Sequence, residues 1–109
     1  MQELTSKIIR FRDERNWRQF HNAKDLAISL SLEASELLEL FQWKQNDEVV
    51  KENLEGIKDE LADVLYYVLL MSHDVGIDIE EALESKLRKN ERKYPIEKAY
   101  GSNKKYTEL

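Results

Sequence analysis

The sequence contains no cysteine, one proline and three glycines in 109 residues. Without cysteine, the chain forms neither a disulfide framework nor a thiolate metal site, and this composition fits a cytoplasmic protein. The scarcity of proline and glycine, and the lack of sustained polar–apolar alternation, favour an all-α fold. The longest apolar run, residues 64–71, is far too short to span a bilayer, so we expect no membrane partner. Residues 1–10 show no apolar segment of signal-peptide length.

The charge balance argues against a general nucleic-acid binder. Seventeen basic and 22 acidic side chains give a net charge of −5, whereas nucleic-acid-binding domains usually carry a basic surface. A chain of this length is expected to form one domain. The expected organisation is a helical domain over residues 1–95, followed by a polar tail over residues 96–109.

The apolar periodicity predicts four helices, over residues 2–15, 22–43, 48–76 and 78–94. Asn22 is the predicted N-cap of the second helix, and Asp78, with Glu81 three residues later, of the fourth. Gly76 is the predicted C-cap of the third helix. This third helix is expected to be irregular near Gly56, because glycine is costly inside a helix.

Two of these helices carry acids on their apolar sides. Glu33 and Glu36, spaced i, i+3, lie within the apolar stripe of the second helix, and Glu60 and Asp63 repeat the pattern on the third. A carboxylate that faces a core is costly unless it is paired, neutralised or bound to a metal. If the two helices pack together, four carboxylates share a small volume, and a hard divalent cation compensates their charge.

The composition of this acidic set limits the choice of metal. A di-iron bundle requires Glu-x-x-His motifs, and neither helix contains one. Oxygen-only ligands favour Mg²⁺, with Mn²⁺ as the alternative, over iron or zinc. A solvated acidic face is the competing interpretation, and it is disfavoured because the acids fall on the apolar sides of two helices.

Two further groups of residues admit a structural and a functional interpretation. Trp17 and His21, in a short connector, either plug the core or form a stacking surface for a flat ligand. Lys86, Asn90 and Lys93 lie along one side of the fourth helix, where they either cover the edge of the core or bind phosphate. Together with the acids they fit a nucleoside triphosphate as ligand. Spacing alone does not choose between attack at the α- and the γ-phosphorus.

The sequence resembles a known family. The segment LEASELLELFQW, followed about two dozen residues later by DELADVLYY, is similar to the MazG-like all-α NTP pyrophosphatase superfamily. The segments NWRQFH, SKLRKNERKYP and KYTEL extend the resemblance to its dCTP pyrophosphatase branch. The resemblance implies a four-helix bundle, dependence on magnesium, hydrolysis of an NTP to NMP and pyrophosphate, and assembly as a homodimer or homotetramer.

The resemblance also implies roles for individual residues. The implied metal ligands are Glu33, Glu36, Glu60 and Asp63. We expect Glu36 and Glu60 to be the catalytic carboxylates, and the choice of the carboxylate that orients the attacking water stays open. The implied substrate-binding residues are Trp17 and Trp43 around the base, His21 in the nucleotide pocket, Tyr67 near the sugar, and Lys86, Asn90 and Lys93 at the phosphates. The competing hypothesis is a non-catalytic helical interaction module whose acids pair with basic residues of a partner.

Overall fold

The computed structural model describes all 109 residues and is entirely helical. Its α-helices are α1 (Gln2–Glu14), α2 (Ala23–Glu39), α3 (Asn46–Glu52), α4 (Leu54–Val75), α5 (Ile79–Lys93) and α6 (Ile96–Ala99). Two single turns of 3₁₀ helix, Arg18–Phe20 and Tyr106–Glu108, complete the secondary structure. The predicted all-α fold class is therefore confirmed. None of the helices combines the length and the apolar character needed to cross a membrane.

The predicted helix ends at Asn22, Gly76 and Asp78 are confirmed. The side chain of Asn22 accepts a hydrogen bond from the backbone N–H of Asp25 at 2.8 Å, and Asp78 does the same for Glu81 at 3.2 Å. Gly76 ends α4 in the left-handed region, with φ of 76°, where only glycine avoids a steric penalty. Local capping chemistry thus determines these three boundaries.

The third predicted helix is in fact two helices, because the chain breaks at Asn53. Asn53 ends α3, and its side-chain Oδ1 accepts a hydrogen bond from the backbone N–H of Gly56 at 3.2 Å, which caps α4. The irregularity expected near Gly56 is therefore a complete change of helix, displaced by three residues.

The second helix ends earlier than its predicted boundary near residue 43. Helix α2 ends at Glu39, and residues 40–43 form turns closed by i→i−3 hydrogen bonds such as Gln42 N–H to the Glu39 carbonyl at 3.2 Å. Trp43 has φ of 64°, a left-handed conformation that no helix continues. It therefore lies in the connector between α2 and α3.

The chain forms two compact units, residues 1–77 and residues 78–109. In the first unit α4 is the central helix, and α1, α2 and α3 each pack against it. The contact between α2 and α4 is the most extensive, and buried Leu26 of α2 and Leu69 and Leu70 of α4 lie among the most enclosed side chains. The two helices that carry the acidic pairs therefore do pack together. The second unit contains α5, α6 and the C-terminal 3₁₀ turn.

Candidate functional site

Three of the four acids singled out from the sequence meet at the contact between α2 and α4. Carboxylate oxygens of Glu33, Glu36 and Glu60 all lie within 4.8 Å of one another. Each acidic pair is spaced i, i+3, so its two side chains project from the same side of their helix. Asp63 lies outside this group of three, with an exposed side chain, but its charge acts on both Glu33 and Glu60.

The acidic cluster is electrostatically unfavourable as it stands. Glu33 and Glu60 are half-buried, and the Oε2 atom of each is buried without a hydrogen-bond partner. Burial, followed by the neighbouring Glu36 carboxylate, raises the pKa of Glu33 to about 7 and raises the pKa of Glu60 as well. Buried oxygen atoms without partners are rare in folded proteins, and a site built to bind an ion is one established reason for them.

The donor set fits a hard divalent cation. All the available ligand atoms are carboxylate oxygens, which suit Mg²⁺ and Mn²⁺ better than softer metals. No basic side chain forms an ion pair with Glu33, Glu36 or Glu60, so the protein itself does not neutralise them. Glu33, Glu36 and Glu60 could therefore hold a cation, with Asp63 close enough to add to its attraction.

A cleft of about 450 Å³ opens beside the acidic cluster within the first unit. Aromatic and apolar side chains from α1 and α4 form much of its wall, and Glu33 and Asp63 lie at its polar side. Trp17 and His21, from the connector between α1 and α2, line the same cleft, as does Tyr67. The structure therefore brings three of the proposed nucleotide-binding residues next to the carboxylates.

The cleft can receive a flat ring. Trp17 packs edge-to-face against Phe11, with ring centroids 5.8 Å apart, and remains partly exposed. The Nδ1 atom of His21 is buried without a partner, and burial, with the nearby Arg12 charge, lowers its pKa. Burial and the charge of Glu33 raise the pKa of Tyr67, so its hydroxyl stays neutral. An apolar cleft with a few convergent polar groups is the usual form of a small-molecule site.

A buried ion pair that sequence reasoning missed holds this connector in place. Arg12 is 0% exposed, and its guanidinium donates two hydrogen bonds to the carboxylate of Asp74 on α4, at 2.7 and 2.8 Å. Arg18, next to Trp17, donates a third to the same carboxylate at 3.2 Å. The backbone N–H of Trp17 also bonds to the Arg12 carbonyl at 3.2 Å. The pair therefore positions the segment that carries Trp17 and His21.

The signal for this pair was present in the sequence. Arg12 follows Ile8 by one helical turn, so it lies in the apolar stripe of α1. Asp74 follows Tyr67 and Leu70 at intervals of seven and four residues and shares their side of α4. The same periodicity that identified Glu33 thus marks both members of the pair.

Trp43 is not among the residues that line the cleft within the first unit. Trp43 is 94% exposed in the connector between α2 and α3. Lys86, Asn90 and Lys93 lie on α5, in the second unit. Their assignment to substrate binding stays a prediction.

The acidic cluster and the adjoining aromatic cleft indicate an all-α protein with a candidate metal site beside a small-molecule cleft. Comparison with similar proteins identifies its family. The model of the MazG-like family matches residues 28–109. A crystal structure of a pyrophosphatase from Archaeoglobus fulgidus DSM 4304 superposes with a TM-score of 0.83 and 43% sequence identity, covering 87% of this chain and 92% of that one. The chain belongs to the MazG-like family.

Curated relatives place the chain within this family more closely. It is 38% identical over 104 residues to dCTP pyrophosphatase 1 of Homo sapiens, and 38% identical over 105 residues to dCTP pyrophosphatase 1 of Mus musculus. In both cases the alignment covers 91% of this chain and 61% of the relative. The chain therefore spans about three fifths of the length of the curated relatives that it matches.

Proposed function

We propose that this protein is a metal-dependent nucleoside triphosphate pyrophosphohydrolase that converts a (d)NTP, with dCTP or a modified dCTP as the preferred substrate, to NMP and pyrophosphate. The observation that carries the proposal is the convergence of Glu33, Glu36 and Glu60 within 4.8 Å, beside a cleft lined by Trp17 and His21. The similarity to proteins named dCTP pyrophosphatase supports the choice of base. We further propose a cytoplasmic location, because the sequence contains no cysteine and the fold therefore depends on no disulfide bond.

The proposed cofactor is Mg²⁺, with Mn²⁺ as a substitute, held by Glu33, Glu36 and Glu60 with Asp63 contributing. A bound divalent cation supplies charge stabilisation to the phosphoryl oxygens as negative charge develops on them. The two buried carboxylate oxygens without partners, on Glu33 and Glu60, support this assignment. An anionic triphosphate would otherwise meet a cluster of like charge.

In the proposed reaction, a water oxygen forms a bond to the α-phosphorus, and the bond from that phosphorus to the bridging oxygen breaks. The bridging oxygen keeps the electron pair, so pyrophosphate leaves as a unit and NMP remains. Glu36, exposed at the edge of the acidic cluster, is the carboxylate that we assign to orient the water and accept its proton at a carboxylate oxygen. Glu60 contributes its carboxylate to the cluster from α4, whereas Glu33 and Glu36 contribute theirs from α2.

The cleft residues bind and orient the rest of the nucleotide. Trp17 stacks on the base, and His21 reaches it through the buried Nδ1 atom that has no partner within the protein. Tyr67, which lines the same cleft, is assigned to the sugar, where its ring would crowd a ribose 2′-hydroxyl and so favour deoxynucleotides. The phosphates beyond the α-phosphate are assigned to Lys86, Asn90 and Lys93, as charged and polar donors.

The test is a product analysis with purified full-length protein. Each dNTP is incubated with MgCl₂, and the products are separated by anion-exchange chromatography. We expect dCMP and pyrophosphate from dCTP, with no turnover after treatment with EDTA. Formation of dCDP and free phosphate would refute attack at the α-phosphorus. A protein that binds neither metal nor nucleotide would instead support a non-catalytic interaction module.

Replacement of Trp17 by leucine should weaken nucleotide binding and leave the chemical step nearly intact. Loss of a base–aromatic stack costs about 1–3 kcal/mol, so KM for dCTP should rise roughly 5- to 150-fold. The matched control is Phe20→Leu, because Phe20 is exposed in the same connector but does not line the cleft. Steady-state kinetics distinguishes the two variants, and equal KM values would remove Trp17 from the base site.

We propose that the protein is a homodimer or homotetramer, on the basis of unpartnered apolar faces in the first unit. Leu54, Leu61 and Leu65 form one stripe along α4 and remain exposed, with Leu61 at 52%. Leu32 of α2 is 59% exposed. Exposed apolar patches of this kind mark protein–protein contacts in soluble proteins.

Light scattering coupled to size exclusion tests the assembly. We expect two or four times the chain mass of 13.0 kDa, and a lower mass with reduced turnover for Leu61→Glu, because the substitution places a charge in the apolar contact. Val50→Glu is the control, since Val50 is similarly exposed but lies on α3, outside the stripe. A wild-type mass of one chain would refute the proposal.

A further inference from the structure

A second pocket lies entirely within residues 78–109, and it is basic. Its volume is about 500 Å³, and its wall carries the cationic side chains of Lys89, Arg92, Lys93 and Lys98. None of these four cations forms an ion pair with a carboxylate, although Arg88 nearby pairs with Glu81 at 3.6 Å. The pocket therefore concentrates four positive charges that form no ion pair within the protein.

This concentration contrasts with the acidic character of the chain as a whole. Residues 86–105 contain eight Lys or Arg and two Glu side chains, while the complete chain has a net charge of −5. Like charges held close together repel one another and raise the free energy of the folded state. An anion that enters the pocket removes this repulsion, which gives such an anion a favourable binding energy.

Aromatic contacts hold part of this pocket in shape. The Lys93 ammonium lies 4.9 Å from the centroid of the Tyr106 ring, within the range of a cation–π interaction. Tyr106 in turn packs edge-to-face against Tyr94, with centroids 6.1 Å apart. These contacts link the C-terminal 3₁₀ turn to the end of α5, so the wall of the pocket is partly ordered before any ligand binds.

We propose that this basic pocket binds the diphosphate group of a small anion, either inorganic pyrophosphate or a nucleoside diphosphate. A single phosphate carries about −1.5 to −2 charges near pH 7, which would leave roughly half of the four positive charges uncompensated. Two linked phosphate groups match the charge of the pocket better. The Arg92 guanidinium supplies the planar donor fork that suits a phosphate oxygen pair.

The basic pocket differs from the phosphate-binding row assigned to the substrate. Helix α5 advances about 100° per residue, so Arg92 projects about 160° away from Asn90, on the opposite side of the helix. Lys93 is the one residue common to both groups. An anion held by Arg92 therefore contacts a different side of α5 from one held by Asn90, and the proposal is tested by anion binding rather than by turnover.

The test is calorimetry with sodium pyrophosphate at 50 mM NaCl in the absence of divalent metal, using the full chain. We expect saturable binding, and about tenfold weaker binding for the double variant Arg92→Gln/Lys98→Gln, because two exposed charge contacts are lost. Lys44→Gln/Lys51→Gln is the matched control, since it removes two exposed lysines from the first unit and should bind like the wild type. Amide shifts in ¹⁵N spectra should fall on residues 89–98 and 106–109.

Parallel titrations identify the source of the diphosphate and expose the alternatives. If CDP binds more tightly than pyrophosphate and the double variant weakens its binding, the pocket is assigned to a nucleotide, and the reverse order of affinities assigns it to the free anion. Equal affinity for inorganic phosphate and pyrophosphate would overturn the proposal, as would equal affinity of the double variant and the wild type. Tighter binding of a single-stranded oligonucleotide would overturn it in favour of nucleic acid. A lower oligomer mass for the double variant would show instead that these cations meet carboxylates of a second copy.

Discussion

Replacement of Glu60 by glutamine should abolish turnover of dCTP while making the metal-free protein more stable. The amide keeps the shape of the side chain but removes one of the three negative ligands that converge within 4.8 Å. A cation bound by fewer charges is held less tightly, so a smaller fraction of the protein would carry the ion that stabilises charge on the phosphoryl oxygens. We therefore expect kcat/KM to fall by about 10³-fold or more, comparable to the loss of an essential electrostatic contact.

The gain in stability has the same physical origin as the loss of activity. Burial and the Glu36 charge raise the pKa of Glu60, which means that the folded protein disfavours the ionised side chain. A neutral side chain at this position removes the penalty, so the melting temperature in EDTA should rise. In excess Mg²⁺ the order should reverse, because the wild type gains stabilisation from the bound ion.

A substitution on the same helix provides the control. Glu55 is exposed in the first turn of α4 and pairs with Lys58 at 3.6 Å, so Glu55→Gln should leave both activity and metal-dependent melting unchanged. Thermal melts with EDTA and with MgCl₂, combined with steady-state kinetics, measure activity and stability for both variants. A Glu60→Gln protein that is active, or that melts lower than the wild type in EDTA, would contradict the role of the acidic cluster.

Replacement of Asp74 by asparagine should severely destabilise the folded protein. Asp74 is 11% exposed, and Arg12 opposite it is fully buried, so the variant leaves a buried guanidinium without its counter-charge. Breaking a buried ion pair in this way costs about 3–5 kcal/mol. For a chain of this size, the melting temperature should fall by roughly 10–20 °C.

The double variant Arg12→Met/Asp74→Leu separates the energy of the pair from the penalty for an orphaned charge. Well-packed apolar residues often replace a buried ion pair without loss of stability, so the double variant should melt above Asp74→Asn. If nucleotide affinity remains low in this stable protein, the pair also serves to position Trp17 and His21. A double variant that is less stable than the single one would contradict the orphaned charge as the source of the loss.

The same pair predicts how stability depends on pH. The hydrogen bonds from Arg12, followed by that from His73, lower the pKa of Asp74 to about 2, against 3.8 for an ordinary aspartate. A lowered pKa means that the contribution is complete above about pH 4 and is lost as the pH falls towards 2. Urea unfolding between pH 5 and pH 2 should therefore be less pH-dependent for Asp74→Asn than for the wild type.

The sequence revealed most of the fold because the signals concerned are local. Helix caps at Asn22, Gly76 and Asp78 depend on a few neighbouring residues, and the structure confirms all three. The acids at Glu33 and Glu60 were recognisable because helical periodicity alone places them on an apolar side. The packing of α2 against α4 then brings them together, as the pattern predicted.

The features that the sequence did not reveal depend on competition between two local structures or on contacts between residues far apart in the chain. The break at Asn53 requires that a side-chain cap outcompete a continuous helix, and propensities do not decide between the two. The left-handed backbone at Trp43 follows from the turn after α2, where no glycine signals it. The bond between Arg12 and Asp74 joins residues 62 positions apart, and periodicity marks each one as buried without naming its partner.

Helix α4 carries both Asp63, beside the carboxylates, and Asp74, the anchor for the connector with Trp17. The two residues are eleven positions apart, which corresponds to about 16 Å along the axis of one uninterrupted α-helix. Inserting or deleting a single residue between them would turn the anchor by about 100° relative to the acids. Changes of chain length should consequently be tolerated after α2 or α4, where turns absorb them, but not inside residues 64–73. The distance between Asp63 and Asp74 along α4 therefore fixes how far the connector with Trp17 lies from the carboxylates.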